Sequence, residues 1–305
     1  RWDTDRFGDP TKTFDNYDRF TFGFGGPTPV KNLTYFATYE GTLQDTYLKS
    51  VMTHPRRTFI DFVQLGNRQF NQINTNLKLA YRVNPRNKVT FETINNRTIA
   101  TPYDHMWSRK GYVQVGYDTV QVAGQPDQYI PLYGTWSATP EDSSYVYVNM
   151  ADHVATTDDR FNQQTVVWTN QISDKAVWST RRSNMNFNTL TSVGQKEPWE
   201  YWIQSPYYWS GNVSTGTENN LYYATHGDFP AYGKRDQSTW ILKSDYSTRR
   251  WKQHTVKTGV EVKYNEVKNL TLTLPNSETN GLPGAVRSDF TNYNPEVAAY
   301  VQDRL

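Results

Sequence analysis

Hydrophobic residues recur at every second position along much of the chain. The most regular run lies at 256–264, where Val256, Thr258, Val260, Val262 and Tyr264 alternate with Lys257, Gly259, Glu261 and Lys263. Successive side chains of a β-strand point to opposite faces of its sheet, so this run predicts a strand with one apolar face and one charged face.

Shorter runs repeat this period of two, and helical spacing holds over no comparable window. The residues that share a predicted face are Phe20, Phe22 and Phe24; Tyr35, Ala37 and Tyr39; Ile73, Leu77, Leu79, Tyr81 and Val83; Val89, Phe91 and Thr93; and Trp240, Leu242 and Tyr246. Alternation is weaker at 176–187, where Arg181 and Arg182 fall on opposite faces. With a further strand at 297–305, the sequence predicts an all-β fold of about nine strands.

The breaks between these runs alternate between short and long. Short polar turns are predicted at 25–32, 84–87, 173–175 and 248–252, whereas long polar and aromatic segments occupy 96–157, 189–233 and 267–291. Compact soluble domains rarely contain structureless connections of that length. Short turns at one end and long loops at the other are typical of an antiparallel transmembrane β-barrel, with its turns in the periplasm and its loops outside the cell.

Composition supports this interpretation. The chain has 22 Tyr, 10 Trp and 14 Phe, although its mean hydropathy is only −0.80. In a transmembrane barrel every second residue of a strand faces lipid, and the others face a polar interior. Such barrels also carry aromatic girdles at both membrane interfaces, so a high aromatic content is compatible with a low mean hydropathy. The competing interpretation is a soluble β-sandwich, propeller or carbohydrate-binding domain. The alternation of short turns with long loops argues against it.

Charge and residue counts exclude other classes. A formal net charge of +2 gives no basic surplus for nucleic-acid binding. The absence of Cys excludes disulfides and thiolate metal sites in this chain. We expect no enzyme and no cofactor. Glu197 and Glu200 are better explained as solvated charge than as an acid/base pair, and the group Asp152, His153, Asp158 and Asp159 matches no defined metal-binding loop.

Two sets of residues are candidates for function. The charged faces of the predicted strands would line the barrel interior or contact a plug: Lys78, Arg82, Glu92, Lys243, Asp245, Lys257, Glu261 and Lys263. Aromatic residues of the long segments would contact an extracellular ligand or partner: Trp107, Tyr133, Trp136, Tyr145, Tyr147, Trp199, Trp202 and Tyr208. Packing of loop against loop is the alternative role for these aromatic residues.

Several motifs occur in the same order as in a known family. Residues 22–27 (FGFGGP), followed by 31–32 (KN), 35–36 (YF) and 39–41 (YEG), resemble the early barrel hairpin of Oar-like TonB-dependent receptors. Residues 257–266 are similar to the Gly-x-Glu-x-x-Tyr strand of that family, and 299–303 (AYVQD) give a third match. The turn at 27–31 is longer than the usual form.

The resemblance implies a receptor of the Gram-negative outer membrane. Such receptors contain a barrel with 22 strands, often a carboxypeptidase-regulatory-like domain, and a plug domain through which the TonB complex drives passage of a substrate. We therefore expect 1–305 to be part of the barrel, with the plug and the C-terminal strands outside this chain. The expected partners are outer-membrane lipid, the TonB complex and extracellular or periplasmic proteins. The alternative function is a non-transporting barrel whose aromatic loops serve as an adhesin or assembly scaffold.

Overall fold

The computed structural model describes residues 17–44, 58–60, 63–66, 70–102, 107, 110–114, 116–120, 128–132, 145–149, 153–201, 228–251, 254–275, 278–279 and 282–304. In chain order the strands are β1 (Tyr17–Pro27), β2 (Leu33–Gln44), β3 (Thr58–Ile60), β4 (Val63–Gly66), β5 (Phe70–Asn84), β6 (Asn87–Ala100), β7 (Lys110–Gln114), β8 (Gly116–Val120), β9 (Gln128–Leu132), β10 (Tyr145–Asn149), β11 (Ala155–Ser173), β12 (Ala176–Val193), β13 (Ala231–Trp251), β14 (His254–Thr273), β15 (Glu278–Thr279), β16 (Leu282–Pro283) and β17 (Val286–Arg304). A one-turn 3-10 helix, Pro198–Glu200, follows β12. Within these ranges, no helix is long and apolar enough to cross a membrane.

Nine long strands form one sheet in the order β1-β2-β5-β6-β11-β12-β13-β14-β17. Every neighbouring pair is antiparallel. The short strands pair outside this sheet as β3 with β4, β7 with β10, β8 with β9, and β15 with β16. The prediction of an all-β, antiparallel fold with about nine strands is confirmed.

Short turns join alternate pairs of strands at one end of the sheet. At 84–87 the amide of Arg86 donates to Oδ1 of Asn84 at 2.9 Å, and Nδ2 of Asn87 donates to the same oxygen at 3.1 Å. Asn84 therefore closes the turn with its own side chain, as Asn does at the first position of tight turns. At the β1–β2 turn Asn32 has φ +65°, a left-handed conformation that Asn tolerates better than most residues.

The strands extend further than the sequence predicted. β14 continues to Thr273 and β17 begins at Val286, so the predicted loop at 267–291 is wrong at both ends. Likewise, β6 and β12 continue to Ala100 and Val193. A further long connection, 45–69, lies between the β1–β2 and β5–β6 hairpins. On β14 the polar residues Glu266 and Lys268 interrupt the alternation before Leu270 and Leu272 resume it, and the ends of the other strands are largely polar.

The register divides the long sheet into two faces. Val166, Arg182, Leu242, Val262 and Val297 lie side by side in one row across β11 to β17. Their face, here called the apolar face, holds most of the exposed large hydrophobic residues of the sheet: Phe22, Phe24, Leu77, Tyr81, Val166, Trp168, Trp178, Trp240, Leu242, Tyr246, Val260, Val262, Tyr264, Tyr293, Val297 and Val301. We call the opposite face the polar face.

The buried core is small and lies at the end of the sheet opposite the short turns. One cluster contains Ala155, Val193, Tyr201, Tyr232 and Leu272, and another pairs Leu43 with Ile99. Halfway along the strands, by contrast, Leu242 is 52% exposed and Val262 is 44% exposed. The apolar face is therefore not covered by the described residues of this chain.

Candidate functional site: the polar face and the loop end

The predicted interior-facing residues all lie on the polar face. The pairs Lys78 with Glu92 and Lys243 with Glu261 are directly opposed across neighbouring strands. The remaining members, Arg82, Asp245, Lys257 and Lys263, have the same parity on their strands. The structure thus places this set on one face, and its role as a barrel lining stays a prediction.

Five members of the set form a charged cluster on β13 and β14: Lys243, Asp245, Lys257, Glu261 and Lys263. Nζ of Lys243 lies 3.2 Å from Oε2 of Glu261. Nζ of Lys263 lies 3.4 Å from Oε1 of Glu296, a β17 residue that the sequence had not indicated. These side chains are about one-third to one-half exposed. Exposed pairs of this kind contribute at most about 1 kcal/mol each, so the cluster is a hydrated surface of mixed charge.

The side chain of Tyr300 on β17 reaches across β14 to β13 within this cluster. Its hydroxyl donates to Oδ1 of Asp245 on β13, and its ring lies over Gly259 on the intervening strand. A Cβ at Gly259 would collide with both partners. Nζ of Lys243 and Nζ of Lys257 lie 5.6 and 5.8 Å from the ring centroid, within cation–π range. The only sequence signal for this contact is a glycine inside a regular strand, which often marks close approach of another group.

The other predicted polar-face residues lie apart from this cluster. Lys78, Arg82 and Glu92 are on β5 and β6, and β11 and β12 separate them from β13. Nδ2 of Asn76 is 3.5 Å from Oε1 of Glu92. The predicted polar-face residues therefore form two separate groups on the sheet.

A second polar cluster joins three segments at the loop end of the sheet. The carboxylate of Asp228 is fully buried, with Oδ1 2.6 Å from Nδ1 of His153 and Oδ2 2.6 Å from Nζ of Lys196. The amide of Phe229 donates to the carbonyl of His153 at 2.9 Å. Asp228 thus ties the start of β11 and the end of β12 to the segment that leads into β13. Sequence reasoning missed this contact.

Tyr201 links the same strands. Its hydroxyl accepts a hydrogen bond from the amide of Val193 at 3.0 Å and donates to the carbonyl of Ala231 at 3.0 Å. Burial raises the pKa of Tyr201, so its hydroxyl keeps the proton that it donates to Ala231 up to a higher pH than an exposed tyrosine would.

The weaker chemical candidates have structural partners. Oδ2 of Asp158 accepts hydrogen bonds from Arg97 at 3.0 Å and from Arg160 at 2.8 Å, and Oδ1 of Asp159 accepts one from Thr189 at 2.6 Å. Within the described ranges, no three His, Asp or Glu side chains are grouped to hold a metal ion. Asp152 lies outside these ranges. Glu200 accepts a hydrogen bond from the amide of Glu197 at 2.8 Å, which caps the short helix.

The aromatic loop candidates have different environments. Trp107 is only 1% exposed, with its ring centroid 5.9 Å from that of Phe229, so it has no open face for a ligand. Trp199 is 73% exposed. Tyr145 and Tyr147 lie in β10, which pairs with β7. Four further candidates, Tyr133, Trp136, Trp202 and Tyr208, lie outside the described residues.

Comparisons with known proteins give only distant similarity. No family model and no curated protein matches the chain. The chain is similar to the ferric yersiniabactin uptake receptor FyuA of Yersinia pestis, at 14% identity and a TM-score of 0.32, over 93% of this chain and 41% of that one. It is also similar to the ferric-catecholate import receptor Fiu of E. coli K12 in its open form, at 10% identity and a TM-score of 0.36, over 94% of this chain and 43% of that one. The chain spans less than half the length of either receptor.

Proposed function

We propose that this chain is a segment of a TonB-dependent receptor barrel in the outer membrane of a Gram-negative bacterium. The observation that carries the proposal is the division of the nine-stranded sheet into an exposed apolar face and a charged face. Lipid would cover the first, and the second would line the interior. The motif resemblance to Oar-like receptors supports the transport assignment.

The height of the apolar face fits a bilayer. The alternating run from Val256 to Tyr264 covers about 27 Å of strand at about 3.4 Å per residue. With the strand tilted by about 40°, this becomes roughly 21 Å, close to the apolar band of about 25 Å in outer-membrane barrels. A soluble protein rarely exposes a contiguous apolar surface of this extent.

Aromatic residues lie toward both ends of the apolar face. Trp168 and Trp178 lie near the short turns with ring centroids 5.8 Å apart, and Nε1 of Trp178 donates to Oγ of Ser244 at 2.7 Å. Toward the loop end, Trp240 and Tyr264 lie side by side on β13 and β14. Indole and phenol rings prefer the membrane interface because one end is apolar and the other forms hydrogen bonds.

The number of strands points to a larger barrel. Each strand of the sheet is antiparallel to its neighbour, so the first and the ninth strand, β1 and β17, run in the same direction. These two edges cannot join in an antiparallel pair. Backbone groups at an edge exposed to lipid would lack hydrogen-bond partners, so additional strands are needed to close the barrel.

The test of transport uses the full-length gene with its plug. Deleting the receptor gene, deleting the TonB-binding segment of the plug and deleting the TonB gene should each abolish accumulation of the same substrate. A receptor that lacks the TonB-binding segment but keeps its full phenotype would contradict transport. Adhesion lost with the gene but independent of TonB would support the adhesin or scaffold function instead.

A further inference from the structure

One strip of the apolar face is polar. On β12 the positions of this face are Thr180, Arg182, Asn184, Asn186 and Asn188, and β11 adds Asn162 and Gln164 beside them. We call Arg182, Asn184, Asn186, Asn188, Asn162 and Gln164 the amide strip. Arg182 lies directly between Val166 and Leu242, which are 42% and 52% exposed. Arg182 therefore interrupts the apolar face halfway along the strands. The amides continue from it toward the loop end, where Asn186 and Asn188 lie beside Ser238 and Asp236.

Two polar groups in the strip lack partners that they would need in a bilayer. The guanidinium of Arg182 makes no ion pair with any described residue and lies 5.1 Å from the centroid of the Trp240 ring. Oδ1 of Asn184 is buried without a hydrogen-bond partner among the described residues. An arginine that faces hydrocarbon destabilises a barrel unless its charge reaches the interface or meets an anion.

The position of the guanidinium indicates where this anion would lie. Trp240 is next to Asn184 in the register and one step closer to the loop end than Arg182. The arginine side chain thus extends along the strand toward the loop-end limit of the apolar run, where lipid headgroups begin. The carboxylates farther along already have partners, since Asp158 binds two arginines and Asp236 accepts from Asn188 at 2.6 Å.

We propose that the amide strip binds the phosphorylated saccharide headgroup of an outer-leaflet glycolipid. The guanidinium of Arg182 binds the phosphate, the side-chain NH2 groups of Asn184 and Asn186 donate to sugar hydroxyls, and the acyl chains lie against the neighbouring apolar side chains. A phospholipid offers no sugar to the row of amides, and inorganic phosphate offers no acyl chain. The proposal rests on the outer-membrane placement proposed above.

The strip offers a matched pair of variants on one strand. Arg182→Gln removes the guanidinium from the apolar face, and Arg181→Gln makes the same change on the polar face. The full-length protein is purified from outer membranes in mild detergent, and the phosphorylated glycolipid bound to it is counted by native mass spectrometry. Loss of one charge-assisted contact should reduce retention at least about tenfold in Arg182→Gln, with wild-type retention in Arg181→Gln. Arg182→Lys should retain an intermediate amount because it keeps the charge but not the bidentate geometry.

Equal retention in the two glutamine variants would overturn the proposal. Loss of an oligomer or of a co-purifying membrane protein from Arg182→Gln, without loss of glycolipid, would also overturn it and assign the strip to a protein partner. Displacement of the glycolipid by millimolar inorganic phosphate alone would overturn the proposal, because it would show that the strip recognises only the phosphate ion. If the wild-type protein is absent from the outer-membrane fraction, the proposed function itself fails, and this result is distinct from equal retention by membrane-inserted variants.

A second measurement does not depend on how well a variant is produced in cells. Arg182→Leu removes the charge from the apolar face, so it should increase the folded fraction in vesicles of phosphatidylcholine alone. In vesicles that also contain diphosphoryl lipid A, it should decrease the folded fraction relative to wild type. An effect of the same sign in both lipids would contradict glycolipid binding by Arg182.

Discussion

Val260→Arg tests the assignment of the two faces. Val260 is the middle residue of the alternating run on β14, with Ser244 and Ala299 beside it and 44% of its surface exposed. The run rises roughly 21 Å across the proposed bilayer, so Val260 lies about 10 Å from either limit. That depth is near the midplane, where snorkelling to an interface is hardest.

Arginine at this depth costs about 2 to 4 kcal/mol in a transmembrane barrel. The ratio of folded to unfolded protein should therefore fall by about 30- to 900-fold. The matched variant Val256→Arg lies at the short-turn limit of the same run and should cost about 0 to 1 kcal/mol. On the opposite face, Glu261→Gln removes only the partly exposed pair with Lys243 and should cost at most about 1 kcal/mol.

The assay is denaturant-dependent folding of the full-length protein into phosphatidylcholine vesicles, followed by tryptophan fluorescence and by the shift of the folded barrel on unheated gels. The expected order of destabilisation is Val260→Arg, then Val256→Arg, with Glu261→Gln close to wild type. Equal effects of Val260→Arg and Glu261→Gln would refute the assigned faces. Equal effects of the two arginine variants would refute the assigned depth.

Three further predictions concern individual contacts. Gly259→Ala should cost about 1 to 3 kcal/mol in the same folding assay, because its Cβ collides with the Tyr300 ring, and Tyr300→Ala should recover part of that loss. Asp228→Asn should cost about 1 to 3 kcal/mol and should speed hydrogen exchange at 228–231, because Lys196 loses its charged partner. Unchanged exchange would contradict the role of Asp228 in holding this segment to β11 and β12. Tyr201→Phe should cost about 1 to 3 kcal/mol at neutral pH, since the amide of Val193 and the carbonyl of Ala231 both lose a partner. Burial raises the pKa of Tyr201 above that of the unfolded chain, so wild type should be more stable than Tyr201→Phe by the full amount below the usual pKa of about 10. This difference in unfolding free energy should decline as the pH rises above that value. A constant difference in unfolding free energy up to pH 12 would contradict the effect of burial.

The alternation of apolar and polar residues correctly predicted the two faces in those parts of the sheet that have one apolar and one polar face. At 256–264 the apolar and charged positions separate cleanly, and the observed register places them as expected. On β12 the same rule gives a weak signal because amides and Arg182 occupy positions of the apolar face. The weak alternation marked the amide strip, although the sequence alone did not show which residues lie beside it.

The ends of the strands and the loop-end contacts required the structure. At 286–296 both faces are largely polar, so strand and loop have the same pattern. On β14 the polar residues Glu266 and Lys268 interrupt the apolar positions before Leu270 and Leu272 resume them. Asp228 meets His153 and Lys196 from segments far away in sequence, and no local spacing encodes such a contact. Tyr300 reaches Asp245 across an intervening strand, a contact that follows only from the register of three strands.

The central claim is that one face of this sheet contacts lipid, and a spin-label scan of β14 tests it most directly. The chain contains no cysteine, so single cysteines introduced at successive positions from 256 to 264 give unique labelling sites within it. In the membrane-inserted full-length protein, collision with oxygen, which concentrates in lipid, should peak at 256, 258, 260, 262 and 264. Collision with a water-soluble nickel reagent should be low at those positions. Absence of this period of two, or oxygen maxima at 257, 259, 261 and 263, would contradict the account.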